Sequence, residues 1–518
     1  MAKKFYTLDA ETDPFEYGAE IKPFIWGVFD GVKFQHFNNT ADLINFIEKE
    51  NAIFYAHNGG KFDFHFLAEY LNRDEQILMI NSRLVKAKIG QCEVRDSYAL
   101  LPFPLAAYKK DDFDYNKLKK ENREKYMGEI IDYLCGDCVY LYELLEEFFS
   151  EYGRHLTAPG AALKTLCKLE DLQIPNPGKF FSGEFRKHYF GGRCEVLSPG
   201  SFFEDLNYYD INSAYPYAML HQHPIGCEYE YYHYEQPPII PHAFYTIEAR
   251  SWGAFSERTK TGLKFDWSGE PKIFHTTGHE LKAAIETNSC EILEHIEQKI
   301  FKNTINFEKF INYFWDLRQN YAKNTPQNLF AKLMMNSAYG KFAANPEKYE
   351  TFVLYDPAIS EYLVENEWDI RGELGGSIIA SKPLEEDEQR HYNIATGASI
   401  TGFVRAMLLR AIKSVERPIY CDTDSLVFTG SHSLDIHDDL GGWSSEGEFM
   451  EGHFAGKKLY ALKHTNGKTK ISSKGSRLDF TQIKKITEGE EIQYKQPAPV
   501  FSWYKENSYL TRTIKRTA

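Results

Sequence analysis

The chain has no apolar run near the roughly 20 residues that a membrane-spanning helix requires, so no such helix is expected. Cysteine is sparse and scattered, with 8 in 518 residues. That argues against a disulfide scaffold and for a reducing compartment, the cytoplasm. The one close pair, Cys135 and Cys138, lacks a second pair to complete a zinc site and straddles Asp137, so it receives no redox or zinc role. Internal repeats and low-complexity tracts are absent. Met1-Ala2-Lys3-Lys4 leads straight into a strand-like run, and no cleavable signal is expected. Positive charge is short as well, with a formal net charge of −14. What is present suffices for several packed domains: hydrophobic residues make up 43% and aromatics 15%.

The acids are gathered in patterns that carry chemistry. In residues 419–428, Asp422 and Asp424 stand two apart between apolar runs, the pattern of a β-hairpin with acids at its tip. Clustered carboxylates repel unless a cation shares them, and oxygen-only ligands suit Mg²⁺ or Mn²⁺ rather than zinc. A solvated acidic turn is the alternative. Asp210 ends an apolar run and is followed by Ile211-Asn212-Ser213-Ala214-Tyr215-Pro216. Alone it reads as a helix cap. Beside a second acidic hairpin it completes a site for two divalent ions about 3.5–4 Å apart. Lys332, Asn336 and Tyr339 are spaced i, i+4, i+7, so one helix face carries a cation, an amide and an aromatic ring. Those groups suit a phosphate, a sugar and a base; the alternative is an amphipathic surface helix ending near Gly340.

The N-terminal third holds a second set. Residues 4–12 read as a strand whose period of two puts Asp9 and Glu11 on one face. His57-Asn58-Gly59-Gly60-Lys61-Phe62-Asp63 forms a glycine turn after the apolar residues 53–55. Tyr133 and Asp137 share a face of a helix expected to open at Tyr133 and run through Phe149. Singly, each acid reads as a surface residue or a cap. The ordered set D-x-E, N-x-x-x-x-D, Y-x-x-x-D weighs against that.

Taken in order, D-x-x-S-x-Y-P at 210–216, K-x-x-x-N-S-x-Y-G at 332–340 and Y-x-D-T-D-S at 420–425 resemble motifs A, B and C of family B DNA polymerases. Lys458-Leu459-Tyr460 resembles the K-x-Y motif of that family. Asp9, Glu11, Asp63 and Asp137 with Tyr133 look like a 3′–5′ exonuclease of the DEDDy type. Residues 96–104 and Lys110-Asp111-Asp112-Phe113 resemble strand-binding and lysine motifs of protein-primed exonuclease domains. Tyr189-Phe190-Gly191-Gly192 resembles the Y-x-G-G motif that links exonuclease to palm. From residue 5 to about 475 the chain is thus similar to the protein-primed polymerases of small tailed phages, adenoviruses and linear plasmids. It departs by an extra glycine in Gly59-Gly60, which a turn absorbs, and by Ala214, where the family often has leucine.

The resemblance implies an α/β and α+β multidomain fold. A ribonuclease H-like 3′–5′ exonuclease domain would occupy 1–157. A right-hand polymerase domain would follow, with palm at 158–221 and 391–474, fingers at 307–344 and thumb at 475–518. A first insertion of the terminal-protein-docking type would span 222–306, and a strand-displacing one 345–390. The implied function is DNA-directed DNA synthesis with 3′–5′ proofreading, processive and strand-displacing, replicating a linear viral or plasmid genome in the cytoplasm of a host cell. The implied partners are primer-template and single-stranded DNA, deoxynucleoside triphosphates and a terminal protein primer, bound by a monomer. Asp210, the Ile211 carbonyl and Asp424 would hold two Mg²⁺ or Mn²⁺ ions, with Asp422 beside them. Lys332 would meet the triphosphate, Tyr215 the sugar, Tyr339 the nascent pair with Asn336 on the same face, and Lys458 and Tyr460 the primer. Asp9, Glu11, Asp63 and Asp137 would hold two further ions, with Tyr133 orienting the attacking water. Thr12, His57, Asn58, Phe62, Ser97 and Lys110 would hold the frayed strand. The rivals are a nuclease whose palm only clamps DNA, a nucleic-acid-primed repair polymerase and a non-catalytic scaffold. Clustered acids facing Lys332 count against a clamp or a scaffold.

The net charge opposes DNA binding, because phosphates are neutralised by Lys and Arg. Its distribution matters more. Residues 451–518 hold 14 Lys/Arg against 6 Asp/Glu, a local +8 that leaves −22 on the rest. Lys457, Lys458, Lys463, Lys468, Lys470, Lys474 and Arg477 are expected to form a phosphate track, the alternative being a solvated basic face. The acidic segment 356–388 is expected to be exposed.

Overall fold

The computed structural model describes residues 3–15, 21–109, 111–234, 238–260, 262–473, 475–496, 499–504 and 509–516. Strand Phe5–Thr12 pairs antiparallel with Pro23–Phe29 and parallel with Ile53–Ala56, which is parallel in turn to Cys92–Asp96. Both faces of that first strand are covered: every residue from Phe5 to Thr12 is buried except Asp9, which is partly exposed. The helix Arg123–Tyr152 lies against it and buries Leu134, Cys138, Leu141 and Leu145. This helix starts ten residues before Tyr133, where the apolar spacing had placed its opening. Its first turns carry Tyr126, Met127, Ile130 and Ile131 at helical spacing, and these pack with Leu134 against Ile25, so the apolar period extends N-terminal to Tyr133.

The sheet does not end with the N-terminal third. Gln76–Ile80 pairs with Glu350–Tyr355, followed by Ser377–Pro383 and Asp369–Leu374, giving ten strands. Phe352, Leu354, Ile379 and Trp503 thereby share one core with Leu8, Phe54 and Leu84. Arg73 fastens the junction: its guanidinium donates to Ser377 Oγ at 3.0 Å, Asp356 Oδ2 at 2.6 Å and the Gly376 carbonyl at 2.8 Å.

A second sheet of eight strands carries Leu206–Ile211 at its centre, between Ser425–His432 and Trp443–Gly456. The helix Ile394–Ser414 lies beneath it, buried along most of its length. Two antiparallel helices, Glu308–Asn320 and Pro326–Phe342, pack on this unit and on Ala158–Leu169. The second starts cleanly: the Thr325 side chain accepts from Asn328 N, and Pro326 takes the first turn, where no donor is needed. Phe330 meets Phe148 edge-on at 5.1 Å, so these helices and the long N-terminal helix share a core.

Between Tyr215 and these helices stands a four-stranded antiparallel sheet of His223–His233, Cys290–Ile305, Phe244–Ser251 and Lys272–Thr277. It leads into helix Gly278–Glu286 through a capping box of Thr277 and Glu280. The chain closes with helix Phe480–Thr487 and a hairpin of Ile492–Lys495 with Thr511–Ile514. Among the described residues, no helix is long and apolar enough to cross a membrane.

Candidate active sites

Two acidic centres form. At the first, the helix Arg123–Tyr152 brings Asp137 to the strand bearing Asp9 and Glu11, and one carboxylate oxygen of each lies within 4.8 Å of the others. The close approach is set locally. The Thr7 hydroxyl donates to the Cys138 carbonyl at 2.8 Å. A Cβ on Gly27 would stand 2.7 Å from Leu134, so any larger residue there pushes the helix, and Asp137, away. Asp63 enters from the glycine turn. It is 2% exposed and its Oδ1 has no hydrogen-bond partner. Asp63 is not in the tight trio, yet its charge raises the pKa of Asp9 and Glu11. A buried, unpartnered carboxylate oxygen facing other carboxylates is a donor set for a hard cation. Tyr133, one turn before Asp137, is stacked on Phe113 at 4.3 Å, with its hydroxyl 3.2 Å from that of Tyr115.

The second centre sits where Asp210 pairs in register with Ser425. The Ile211 amide donates to the Asp424 carbonyl at 2.7 Å, which locks the two acid-bearing segments together. Thr423 takes φ 64°, the left-handed turn between the two aspartates. Tyr215 lies flat on Tyr339 at 4.1 Å and 10°. Lys332 and Asn336 are exposed on the same helix, and the Asn336 amide donates to the Lys332 carbonyl at 2.8 Å. Burial, Asp424 and Glu446 raise the Asp210 pKa, and Lys470 and then Lys332 offset part of that rise. Gly192 packs here as well: a Cβ would stand 2.9 Å from the Thr423 side chain and 3.1 Å from the Tyr215 hydroxyl. The linker is held from behind by Arg405, which donates to the carbonyls of Phe190 and, at 2.9 Å, Gly191, and pairs with buried Glu280 at 2.7 Å.

Other expected residues fall into different settings. Lys458 Nζ donates to both Asp422 oxygens, at 3.0 and 2.8 Å, so the chain itself neutralises Asp422. Tyr460 is 6% exposed, with its hydroxyl 3.4 Å from that of Tyr208, so it packs under the sheet rather than presenting its face. Ser97 is fully buried and donates to the Ala56 carbonyl at 3.2 Å. The His57 ring nitrogens sit 3.0 Å from Ser97 Oγ and 2.8 Å from the Phe103 carbonyl. Burial pushes the His57 pKa down to about 4. Thr12 is 8% exposed, and its hydroxyl donates to the Asp13 carbonyl at 3.1 Å. Asn58 and Phe62 are half-buried, Asn58 at φ 66°. Lys110 and Lys474 lie outside the described residues. Within the basic track, Lys457 donates to the Leu263 carbonyl at 2.7 Å, and Lys470 pairs with Glu446 at 2.8 Å.

Glu446 was not anticipated. The register slips between Tyr208 and Tyr209, opposite Gly447 and Ser445, and leaves Glu446 as the extra residue of a bulge. Its charge reaches Asp210. An isolated acid in an exposed strand carries no sequence signal; the bulge is what aims it.

Both centres raise the proton affinity of their buried acids. Burial first, then Asp424 and Glu446, pushes the Asp210 carboxyl up to about 7. Burial, then Asp422, pushes Asp424 up to about 6. In the first centre burial leads again: Glu11 rises to about 8, Asp63 to about 7 and Asp137 to about 6, and Asp9 rises too. Groups raised in this way bind protons more tightly folded than unfolded. Their stabilising contribution is therefore full below the ordinary carboxylate range near pH 4 and lost as the pH climbs through these values. Compared with an Asp9→Asn, Glu11→Gln variant, the wild type in chelator should lose melting temperature between about pH 5 and pH 8. Saturating Mn²⁺ should reverse that loss, since only deprotonated carboxylates bind the ion. Thermal melts across pH decide it. A wild-type curve parallel to the variant's would mean that folding does not raise the pKa of Asp9 and Glu11.

Comparison with known proteins accords with this geometry. The profile of the family described as DNA polymerase type B, organellar and viral, matches residues 103–439. The chain is similar to the DNA-directed DNA polymerase of Enterobacteria phage PRD1, at 37% identity with 99% of this chain and 98% of that protein covered. It is similar to the DNA polymerase of Bacillus phage phi29, at 25% identity with 93% and 91% covered. Its fold matches phi29 DNA polymerase complexed with primer-template DNA and incoming nucleotides, with TM-score 0.77 at 20% identity, covering 99% of this chain and all of that one. The phi29 enzyme complexed with single-stranded DNA gives TM-score 0.74 at the same identity and coverage. The chain therefore belongs to the type B DNA polymerases of organelles and viruses, and among them to the protein-primed DNA-directed DNA polymerases.

Proposed function

We propose that this polymerase works from two separate acidic centres. Synthesis occurs at Asp210 and Asp424, and 3′–5′ removal of frayed ends at Asp9, Glu11, Asp63 and Asp137. The observation that carries this reading is the pair of independent, mutually repelling carboxylate sets on different sheets. Each set offers oxygen donors only, which suits two Mg²⁺ or Mn²⁺ ions per centre. Such ions supply Lewis acidity to the attacking oxygen and charge neutralisation at the phosphate.

The chain's own groups then have defined tasks. Asp210, Asp424 and the Ile211 carbonyl are the ligands of the synthetic centre, with bulged Glu446 within electrostatic reach. Lys332 faces the triphosphate and offsets its charge. Lys458, already paired with Asp422, keeps that acid from competing as a ligand. At the other centre Tyr133, fixed by Phe113 and Tyr115, orients the attacking water. His57 and Ser97, bonded to each other and to the backbone, shape the strand's groove. Phe62, half-buried, is placed to stack on a base.

Tyr215 selects the sugar. Held flat against Tyr339, it cannot swing away from a 2′-hydroxyl. Tyr215→Val should lower the ratio of kcat/KM for deoxynucleotides over ribonucleotides by roughly 10²-fold. An unchanged ratio in single-nucleotide incorporation removes Tyr215 from this role.

The first insertion docks a terminal protein whose hydroxyl serves as the first primer, and the second parts strands ahead of synthesis. The anchoring of Glu350–Tyr355 on Gln76–Ile80, with Arg73 across the junction, supports a rigid second insertion. The enzyme acts as a monomer in the cytoplasm of a host cell. Two assays on purified protein test the reading: primer extension and single-strand degradation with Mg²⁺, and covalent labelling of a small protein encoded beside this one with a deoxynucleotide. No labelling of any such protein would return the enzyme to nucleic-acid priming.

A further inference from the structure

The C-terminal segment ends far from the first acidic centre in sequence but packs on the turn that carries Asp63. Trp503 is 1% exposed and belongs to the core of the ten-stranded sheet. Its indole N–H donates to the Gly60 carbonyl at 2.8 Å. Its ring stacks on His65 at 4.2 Å, and both His65 nitrogens are buried without a hydrogen-bond partner. Phe501 adds ring contacts to Phe62 at 5.1 Å and Phe66 at 5.7 Å. From the other side, Gly60 N donates to Asp96 Oδ2 at 3.1 Å, and Asp96 pairs with Arg83. Gly60 is wedged: a Cβ would stand 1.9 Å from the Leu84 carbonyl oxygen. The segment is itself clamped, since a Cβ on Gly372 would stand 2.1 Å from the Tyr504 carbonyl oxygen.

Gly60 belongs to the Gly59-Gly60 pair, whose one extra glycine makes this turn longer than the family's usual form. A glycine-rich turn is entropically loose and needs an outside contact to hold one conformation. Within the turn, Lys61 N donates to the Asn58 carbonyl at 2.9 Å and Phe62 N to the Gly59 carbonyl at 3.1 Å, while both polar groups of Gly60 are met from outside it. The carbonyl is taken by Trp503, and His65, two residues past Asp63, offers Trp503 a flat face.

We propose that Trp503 is a positioning residue for the exonuclease centre, holding the Gly59–Asp63 turn so that Asp63 faces Asp9, Glu11 and Asp137. This rests on the exonuclease reading above. It makes degradation depend on the docking of the chain's C-terminal segment, while synthesis at Asp210 and Asp424 does not. Trp503 acts through the turn, which carries both Asp63 and the expected strand contacts Asn58 and Phe62, so its loss lowers kcat/KM for degradation and leaves synthesis alone.

The test uses full-length protein with Trp503→Ala and Trp503→Phe. In Trp503→Ala, kcat/KM for single-strand degradation should fall roughly 10- to 100-fold, as small misplacements of reacting groups do, with primer extension within about twofold. Trp503→Phe, which keeps the stack on His65 but loses the N–H, should recover part of that loss. Hydrogen exchange over residues 57–66 should speed up in the same order, while residues 5–12 stay protected. Unchanged exchange in Trp503→Ala overturns the proposal, and so does faster exchange with undiminished degradation. A parallel loss of degradation and extension also overturns it, because Trp503 would then serve general folding alone. If the wild type degrades no single strand, the exonuclease reading fails, and the exchange measurement still decides whether Trp503 holds the turn.

Discussion

Asp424→Ala is expected to abolish primer extension and leave single-strand degradation at the wild-type rate. Asp424 stands at the tip of a hairpin whose backbone is tied to Ile211 at 2.7 Å, which fixes its main chain beside the strand that carries Asp210. Removing it takes away half of the charge that would hold cations at the reacting phosphate. Losses of several kcal/mol, on the order of 10³-fold or more in rate, follow from deleting such a ligand. The fold should survive. Asp424 contributes to the repulsion that pushes Asp210 up to about 7, so without it the metal-free protein relaxes. Its melting temperature in chelator at about pH 8 should equal or exceed that of the wild type. Extension and degradation measured on one preparation, with a melt, separate lost chemistry from lost structure. Extension by Asp424→Ala at the wild-type rate would move the synthetic centre elsewhere.

The reciprocal change, Asp9→Ala with Glu11→Ala, should eliminate degradation and spare extension. These two acids lie on one strand, and with Asp137 they form the tightest acidic cluster among the described residues. Asp63 and Asp137 remain in the variant but cannot fix two ions alone. The loss should again reach about 10³-fold or more. Extension past a mismatched 3′ end should meanwhile rise, because mispaired ends are no longer removed. Release of the 3′ nucleotide from a labelled strand, set beside mismatch extension, reads both effects. Residual degradation near the wild-type rate would place the nuclease in another part of the chain.

Much of this was legible from the amino acids alone, for a physical reason. Asp422 and Asp424 at a hairpin tip, Asp9 and Glu11 on one strand face, and Lys332, Asn336 and Tyr339 on one helix face are each set within a few residues by backbone period. Local periodicity is short-ranged and survives in any fold, so these groups could be assigned before any packing was known. The order of the motifs then implied the family and its two-part architecture.

Tertiary structure alone decided the rest. No spacing connects Glu446 to Asp210; a bulge opposite Tyr208 does. No period announces that Glu350–Tyr355 extends a sheet begun at residue 5, because a strand shows only that it has a buried face, not which edge it joins. Tyr460 and Ser97 read as contacts to DNA, and only the folded chain shows how little of either side chain is exposed. Trp503 reads as one more aromatic near a terminus, and only the folded chain puts its indole on Gly60. These are encounters between segments tens to hundreds of residues apart. They are fixed by which cores and sheet edges must be covered together, a choice made by the whole chain and written in no local stretch of it.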